Sequence, residues 1–114
     1  DAVIIATPVG ATAYALSAGA NIIDPSVDAI LIVPICPLSP NLRPVIVPSN
    51  AEVSIRSESR REYTVLVDGH VPKKIKRPLE VKIWKSEKKT VFLRADLNFY
   101  ERLRRRLDVS FFNF

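Results

Sequence analysis

From Glu52 onward the apolar residues fall on every second position, and a period of two admits little besides β-strands. Val53 and Ile55 alternate with Glu52, Ser54 and Arg56. Val81 and Ile83 alternate with Glu80, Lys82 and Trp84, and Val91 and Leu93 with Phe92 and Arg94. Successive strand side chains point to opposite faces, so each run has one apolar and one wetter face, as in an antiparallel sheet. Tyr63 to Val67 reads as another strand, and Asp68-Gly69 behind it is a turn signal.

The first half has a different texture. It is apolar, nearly uncharged, and holds most of the prolines. Ala2 to Ala6 reads as a buried strand. Thr7-Pro8 ends it, because proline cannot donate to a ladder, and Gly10 permits a tight turn. Thr12 to Ala18 is Ala-rich and suits a short helix, with Gly19 placed to close it. Ile30 to Val33 is a second buried strand by its β-branched content. Pro34 to Pro48 holds five prolines; it is extended or turning, with a short strand at Val45 to Val47. Near the end, Asn98 and Glu101 form a capping pair, and Phe99, Leu103 and Leu107 make one apolar helical stripe flanked by arginines. The tail Val109 to Phe114 is apolar and is expected to dock. Six or seven strands that do not alternate with helices predict a mostly-β layered domain and argue against a doubly wound sheet.

At 114 residues the chain fits one domain with a real core. It opens at Asp1, with no Met, directly into an apolar strand; we read it as part of a longer protein. A single cysteine, Cys36, excludes a disulfide framework or a Cys-cluster zinc site within the chain and favours a cytoplasmic setting. No apolar run reaches the roughly 18 to 20 residues that span a membrane. The net charge of +5 favours anionic partners. Basic clusters stand at Lys73 to Arg77, Lys85 to Lys89 and Arg102 to Arg106, but aromatics are not interleaved with them as a stacking platform for nucleic acid requires. Solvated turns and a solvated helix face are the favoured interpretation.

The chemistry concentrates in Thr7-Pro-Val-Gly-Ala-Thr-Ala-Tyr14, a strand-to-helix turn. Such turns present backbone N–H groups to anionic or polar ligands. Thr7, Thr12 and Ser17 add hydroxyls and Tyr14 an aromatic face, which together suit a nucleotide. The plainer alternative is that Thr12 caps a short helix. Isolated cysteines such as Cys36 are ordinarily small buried residues. Asp68 is ordinary hairpin chemistry, and His70 a surface residue after a turn.

Asp1, Ile4-Ile-Ala-Thr-Pro-Val-Gly-Ala-Thr-Ala-Tyr14 and Leu16-Ser-Ala-Gly19 together resemble the NAD kinase family. Its pattern there is Asp-Gly, an apolar strand, Thr-Pro-Thr-Gly-Ser-Thr-Ala-Tyr and Ser-x-Gly-Gly. Ile23-Asp-Pro25, Pro34-Ile-Cys-Pro37 with Arg43-Pro44, Val67-Asp-Gly69, and Phe99-Tyr100 with Leu103 and Leu107 look like its later segments, in order. Departures are Val9 and Ala11 for Thr and Ser, Ala2 and Ala20 for glycines, and His70 where Gln is common.

The resemblance implies that residues 1–114 are the C-terminal NAD-binding part of an NAD kinase, a β-sandwich-like domain. It implies that Thr12, Ala13 and Tyr14 hold the adenosine part of NAD, supported by Ser17. Asp1 is expected near the nicotinamide-side ribose or amide, reached from a neighbouring subunit. Cys36 is expected to line the pocket through its backbone, and Asp68 and His70 to border the phosphoryl site. The family phosphorylates the adenosine 2′-hydroxyl of NAD from ATP or polyphosphate with Mg²⁺, as a homodimer or homotetramer. Its Gly-Gly-Asp-Gly motif, on an N-terminal α/β domain, supplies the general base; the motif is not in this chain, which by itself is expected to be inactive. Two other identities stay open: a lipid or diacylglycerol kinase C-terminal domain, and a non-enzymatic β-sandwich that binds nucleotides or nucleic acid.

Overall fold

The computed structural model describes residues 1–59, 61–75, 78–93 and 98–107. Seven strands and two helices lie among them, a mostly-β chain as the alternation predicts. The change of texture near residue 50 coincides with a boundary between two compact units. One comprises Asp1–Ser49 and the described residues from Ser86 onward; the other is Asn50–Lys85.

In the first unit, β1 (Ala2–Ala6), β2 (Ala29–Ile35) and β3 (Val45–Pro48) form an antiparallel sheet in the order β1-β2-β3. Ile4 stands opposite Val33 and Ala6 opposite Leu31, so these four share one face. Ala11, Ala15, Ala20 and Ile23 complete the core with Leu31 and Val33, and Ile4 and Ala6 pack against it. Leu31 and Val33 are fully buried. Each contributes roughly 1.5–3 kcal/mol by leaving water, and the alanines opposite let the following turn lie close to the sheet. Pro34 stands in the central strand. It is tolerated because β3 pairs only with Ala29 to Ile32, so the missing N–H falls beyond that ladder.

The second unit consists of two antiparallel ladders. β4 (Val53–Ser57) pairs with β7 (Leu79–Ile83), and β5 (Tyr63–Val67) with β6 (His70–Ile75). Val53 faces Ile83 and Ile55 faces Val81, all half-buried, while Ser54, Arg56, Glu80 and Lys82 are exposed. The period of two is thus realised residue by residue. On the wet face Arg56 pairs with Glu80 at 3.2 Å and Lys82 with Glu52 at 3.7 Å. Exposed pairs like these are worth about 0–1 kcal/mol, so the apolar face carries the stability. Ser57 and Tyr63 are joined through their hydroxyls across the intervening loop.

Two expectations change. Val91 to Leu93 form no strand: all three are exposed, and no described strand pairs with them. Alternation is a local pattern, whereas a ladder needs a partner. Conversely, β6 extends into the Lys73 to Arg77 cluster, for which a solvated turn is the favoured interpretation of the sequence. The Asp68-Gly69 turn folds it back on β5, and pairing overrides weak propensity.

The helix α2 (Phe99–Leu107) begins as its sequence predicts. Asn98 Oδ1 accepts from the Glu101 amide at 2.9 Å, and Glu101 Oε2 accepts from the Asn98 amide at 3.2 Å. This reciprocal box satisfies two orphan donors. Leu103 is buried and Phe99 and Leu107 are half-buried, with the arginines outside. The tail Val109 to Phe114 lies outside the described residues. No described helix is long and apolar enough to cross a membrane.

Candidate functional site

The turn after β1 is held by its own hydroxyls and by alanines beneath it. The Thr7 carbonyl accepts from the Ala11 amide at 2.9 Å, and Thr7 Oγ1 accepts from the Gly10 amide at 3.3 Å. A short 3-10 turn over Gly10–Thr12 results, followed by the single α-turn α1 (Tyr14–Ser17). The continuous helix expected from Thr12 is therefore divided at Ala13. Thr12 does not cap α1 either, since its Oγ1 donates back to the Val9 carbonyl at 3.2 Å. One α-turn aligns too few peptides to act as a macrodipole, so the ligand-holding capacity here rests on side chains and local amides.

The end of α1 is closed by Gly19 at φ +86°. The Ala20 amide donates to the Ala15 carbonyl and the Gly19 amide to the Leu16 carbonyl, both at 3.0 Å. These are the two bonds of a Schellman closure, and its companion apolar contact is met by Ala15 and Ala20, both buried in the core. A side chain at position 19 would meet no atom within 4 Å; the constraint there is backbone conformation, not space.

Burial divides the element into two sides. Ala11 and Ala15 are buried against the sheet, whereas Ala13, Tyr14 and Ser17 are exposed and Thr12 is half-buried. Tyr14 is 65% exposed, much for an aromatic ring on so well anchored an element. Tyr14 and Ser17 are three residues apart and face the same side of the α-turn. The four residues read from the sequence as one binding group are thus presented by one continuous stretch of backbone, anchored by Ala11 and Ala15.

Asp1 and Cys36 form a second group. The Asp1 backbone nitrogen donates to the Ile35 carbonyl at 2.9 Å, and Ala2 stands opposite Ile35, so Asp1 and Cys36 meet at one end of the β1–β2 ladder. The Thr7 turn begins at the other end, roughly 20 Å away at about 3.4 Å per residue. Cys36 is exposed, unlike an ordinary isolated cysteine, and takes a left-handed backbone at φ +45°. That conformation is uncommon for a residue with a side chain.

Asp68 and His70 form a third group, in the second unit. Asp68 at φ +49° and Gly69 at φ +78° make the two-residue turn between β5 and β6, with Val67 opposite His70. Left-handed angles at both central positions are what Asp-Gly supplies in a tight hairpin. His70 Nδ1 lies 3.1 Å from the Asp68 carbonyl oxygen. A carbonyl only accepts, so Nδ1 is the donor in this contact.

One contact had no signal in the sequence. The Tyr100 hydroxyl donates to Asp24 Oδ2 at 2.7 Å, tying α2 to the segment that follows α1. Asp24 Oδ1 already accepts from the Ser26 amide at 2.8 Å and its hydroxyl at 2.6 Å. The hydrogen bond to Asp24, then burial and the carboxylate charge, raise the Tyr100 pKa above 10. Seventy-six residues separate the partners, beyond any local pattern.

With this geometry in hand, likeness to known proteins is specific. The sequence model for the ATP-NAD kinase C-terminal domain matches residues 1–95. An NAD kinase of Methanosphaera stadtmanae is 44% identical over 112 residues, covering 96% of this chain and 40% of the relative. An NAD kinase of Methanosarcina barkeri is 44% identical over 109 residues, covering 94% and 40%. Yeast NADH kinase, solved in complex with NADH, superimposes with a TM-score of 0.79 at 28% identity, covering 96% of this chain and 35% of that one. The chain thus spans about 40% of the length of the curated relatives it matches.

Proposed function

Because the chain belongs to the NAD kinase family, as its C-terminal domain, we propose that it supplies the NAD-binding part of an enzyme that phosphorylates the adenosine 2′-hydroxyl of NAD. The carrying observation is the outward side of the turn: Tyr14 exposed beside Ser17 and Thr12 on an element anchored by buried Ala11 and Ala15. Tyr14 offers the adenine a flat surface, Thr12 and Ser17 offer hydroxyls, and the Ala13 backbone lies between them. A ligand held there is positioned without reorganising the core, and positioning is most of what phosphoryl transfer asks of a protein.

In this reading Asp1 serves an NAD held largely by a neighbouring subunit. Its separation from the turn, at the far end of β1, supports that division of labour. The reading implies a homodimer or homotetramer in the cytoplasm. Cys36 lines the pocket through its left-handed backbone. Asp68 and His70 border the phosphoryl site, carried by the tight turn between β5 and β6.

The attacking 2′-hydroxyl loses its proton to a carboxylate outside this chain, and the donor is ATP or polyphosphate. Mg²⁺ accompanies the donor's phosphates in the intact enzyme. No group of three His, Cys, Asp or Glu side chains converges among the described residues, so they do not make a cage for the ion.

The test is NADP formation by the full-length protein, with ATP and polyphosphate as alternative donors and NAD and NADH as alternative acceptors. Phosphorylation of the dinucleotide by at least one donor is expected. Failure with every combination would overturn the proposal.

A further inference from the structure

We propose that Thr7 is a positioning residue of the nucleotide site: its hydroxyl clamps the Gly10 amide and so sets the direction in which Thr12, Ala13 and Tyr14 leave the sheet. The inference rests on the reading of that turn as the NAD site. By sequence Thr7 is one of three hydroxyls available to a ligand. In the structure its Oγ1 is an acceptor inside the turn, 3.3 Å from the Gly10 nitrogen, and its carbonyl takes the Ala11 amide at 2.9 Å. Both oxygens of one residue therefore close the same loop.

No other side chain in the turn accepts from a backbone amide. Pro8 has no N–H to contribute, although its carbonyl shares the Ala11 amide at 3.3 Å. Val9 and Ala11 carry no hydroxyl, and Ala11 is wholly buried. Thr12 is committed to the Val9 carbonyl at 3.2 Å, and α1 receives no side-chain cap. The path from Thr7 to Tyr14 is short and continuous: Gly10 begins the 3-10 turn, Ala13 donates to the Gly10 carbonyl at 3.1 Å, and Tyr14 follows. Releasing the Gly10 amide frees the start of that path while Ala11, Ala15 and the sheet keep their packing. The loss then appears as misplacement of exposed side chains more than as unfolding.

The experiment compares Thr7→Val, which keeps the shape and removes the hydroxyl, with Thr7→Ser, which keeps the hydroxyl, both in the full-length enzyme and beside Tyr14→Ala. A net hydrogen bond of this kind corresponds to a change of about threefold to tenfold. Thr7→Val is expected to raise KM for NAD by that factor and to speed amide exchange at Gly10. KM for ATP and the melting temperature should stay near wild type, and Thr7→Ser should lie within about twofold of wild type, as retention of the bond requires. If Tyr14→Ala raises KM for NAD and Thr7→Val does not, the positioning role is wrong while the site stands. Equal defects in Thr7→Val and Thr7→Ser would also overturn it, since packing and not the hydroxyl would then matter. If neither Thr7→Val nor Tyr14→Ala changes KM for NAD, the nucleotide site itself is misassigned and the inference falls with it.

Discussion

Replacing Tyr14 by alanine separates binding from stability, because the structure apportions the ring unequally between protein and solvent. With 65% of the residue exposed, only about a third is covered by the protein. On the aromatic scale that is roughly 60–80 Å², and about 25 cal/mol/Å² sets an upper bound near 2 kcal/mol on its contribution to folding. The better helix propensity of alanine offsets several tenths of that. The net cost is on the order of 1 kcal/mol, or roughly 4–8 °C in melting temperature for a unit of this size. The exposed two-thirds is what a bound base would cover. Stacking of one base on an aromatic ring is worth about 1–3 kcal/mol, a five- to 150-fold change in affinity. In the full-length enzyme Tyr14→Ala should therefore raise KM for NAD by at least about fivefold, with KM for ATP unchanged. Steady-state NADP formation at varied NAD and at varied ATP, alongside a thermal melt, provides the measurement. KM for NAD within twofold of wild type would refute the reasoning. So would parallel rises in both KM values with a drop in melting temperature well beyond that range, which would mark general unfolding.

Two further outcomes follow from the hairpin and from α2. Asparagine tolerates the left-handed angle at position 68, so Asp68→Asn should leave the melting temperature unchanged but lower kcat/KM several-fold if the carboxylate borders the phosphoryl site; unchanged kinetics would reduce Asp68 to a turn residue. Tyr100 has a folded-state pKa raised above 10, first by its hydrogen bond to Asp24. The neutral form is the stabilised one, so the α2 tether is intact below pH 10 and is lost as pH rises through the folded value. A tyrosinate absorbance titration should show one late tyrosine that Tyr100→Phe removes; superimposable curves for the two proteins would refute the assignment.

Much of the local structure was legible in the residues. The alternation over Val53 to Arg56 and Leu79 to Ile83 appears as half-buried and exposed faces, because a strand's side-chain period is a covalent property. Asp68-Gly69, the Asn98–Glu101 box and Gly19 acted as punctuation for a similar reason: each meets a backbone demand within a few residues. The Thr7 to Tyr14 segment was recognisable as a strand-to-helix turn from its residue types, and its likeness to a family made it the candidate site.

What depended on distant partners was settled only by the tertiary structure. Val91 to Leu93 alternate like a strand yet pair with no described strand, while His70 to Ile75 carry a proline and two lysines and pair with β5. Whether a hydroxyl faces a ligand or its own turn is decided by where the turn's amides point, so Thr7 and Thr12 proved internally engaged. Asp24 and Tyr100 meet across 76 residues. Position in the chain sets which groups are available; closure of the backbone over the sheet sets which of them are already taken and which, like Tyr14, remain exposed.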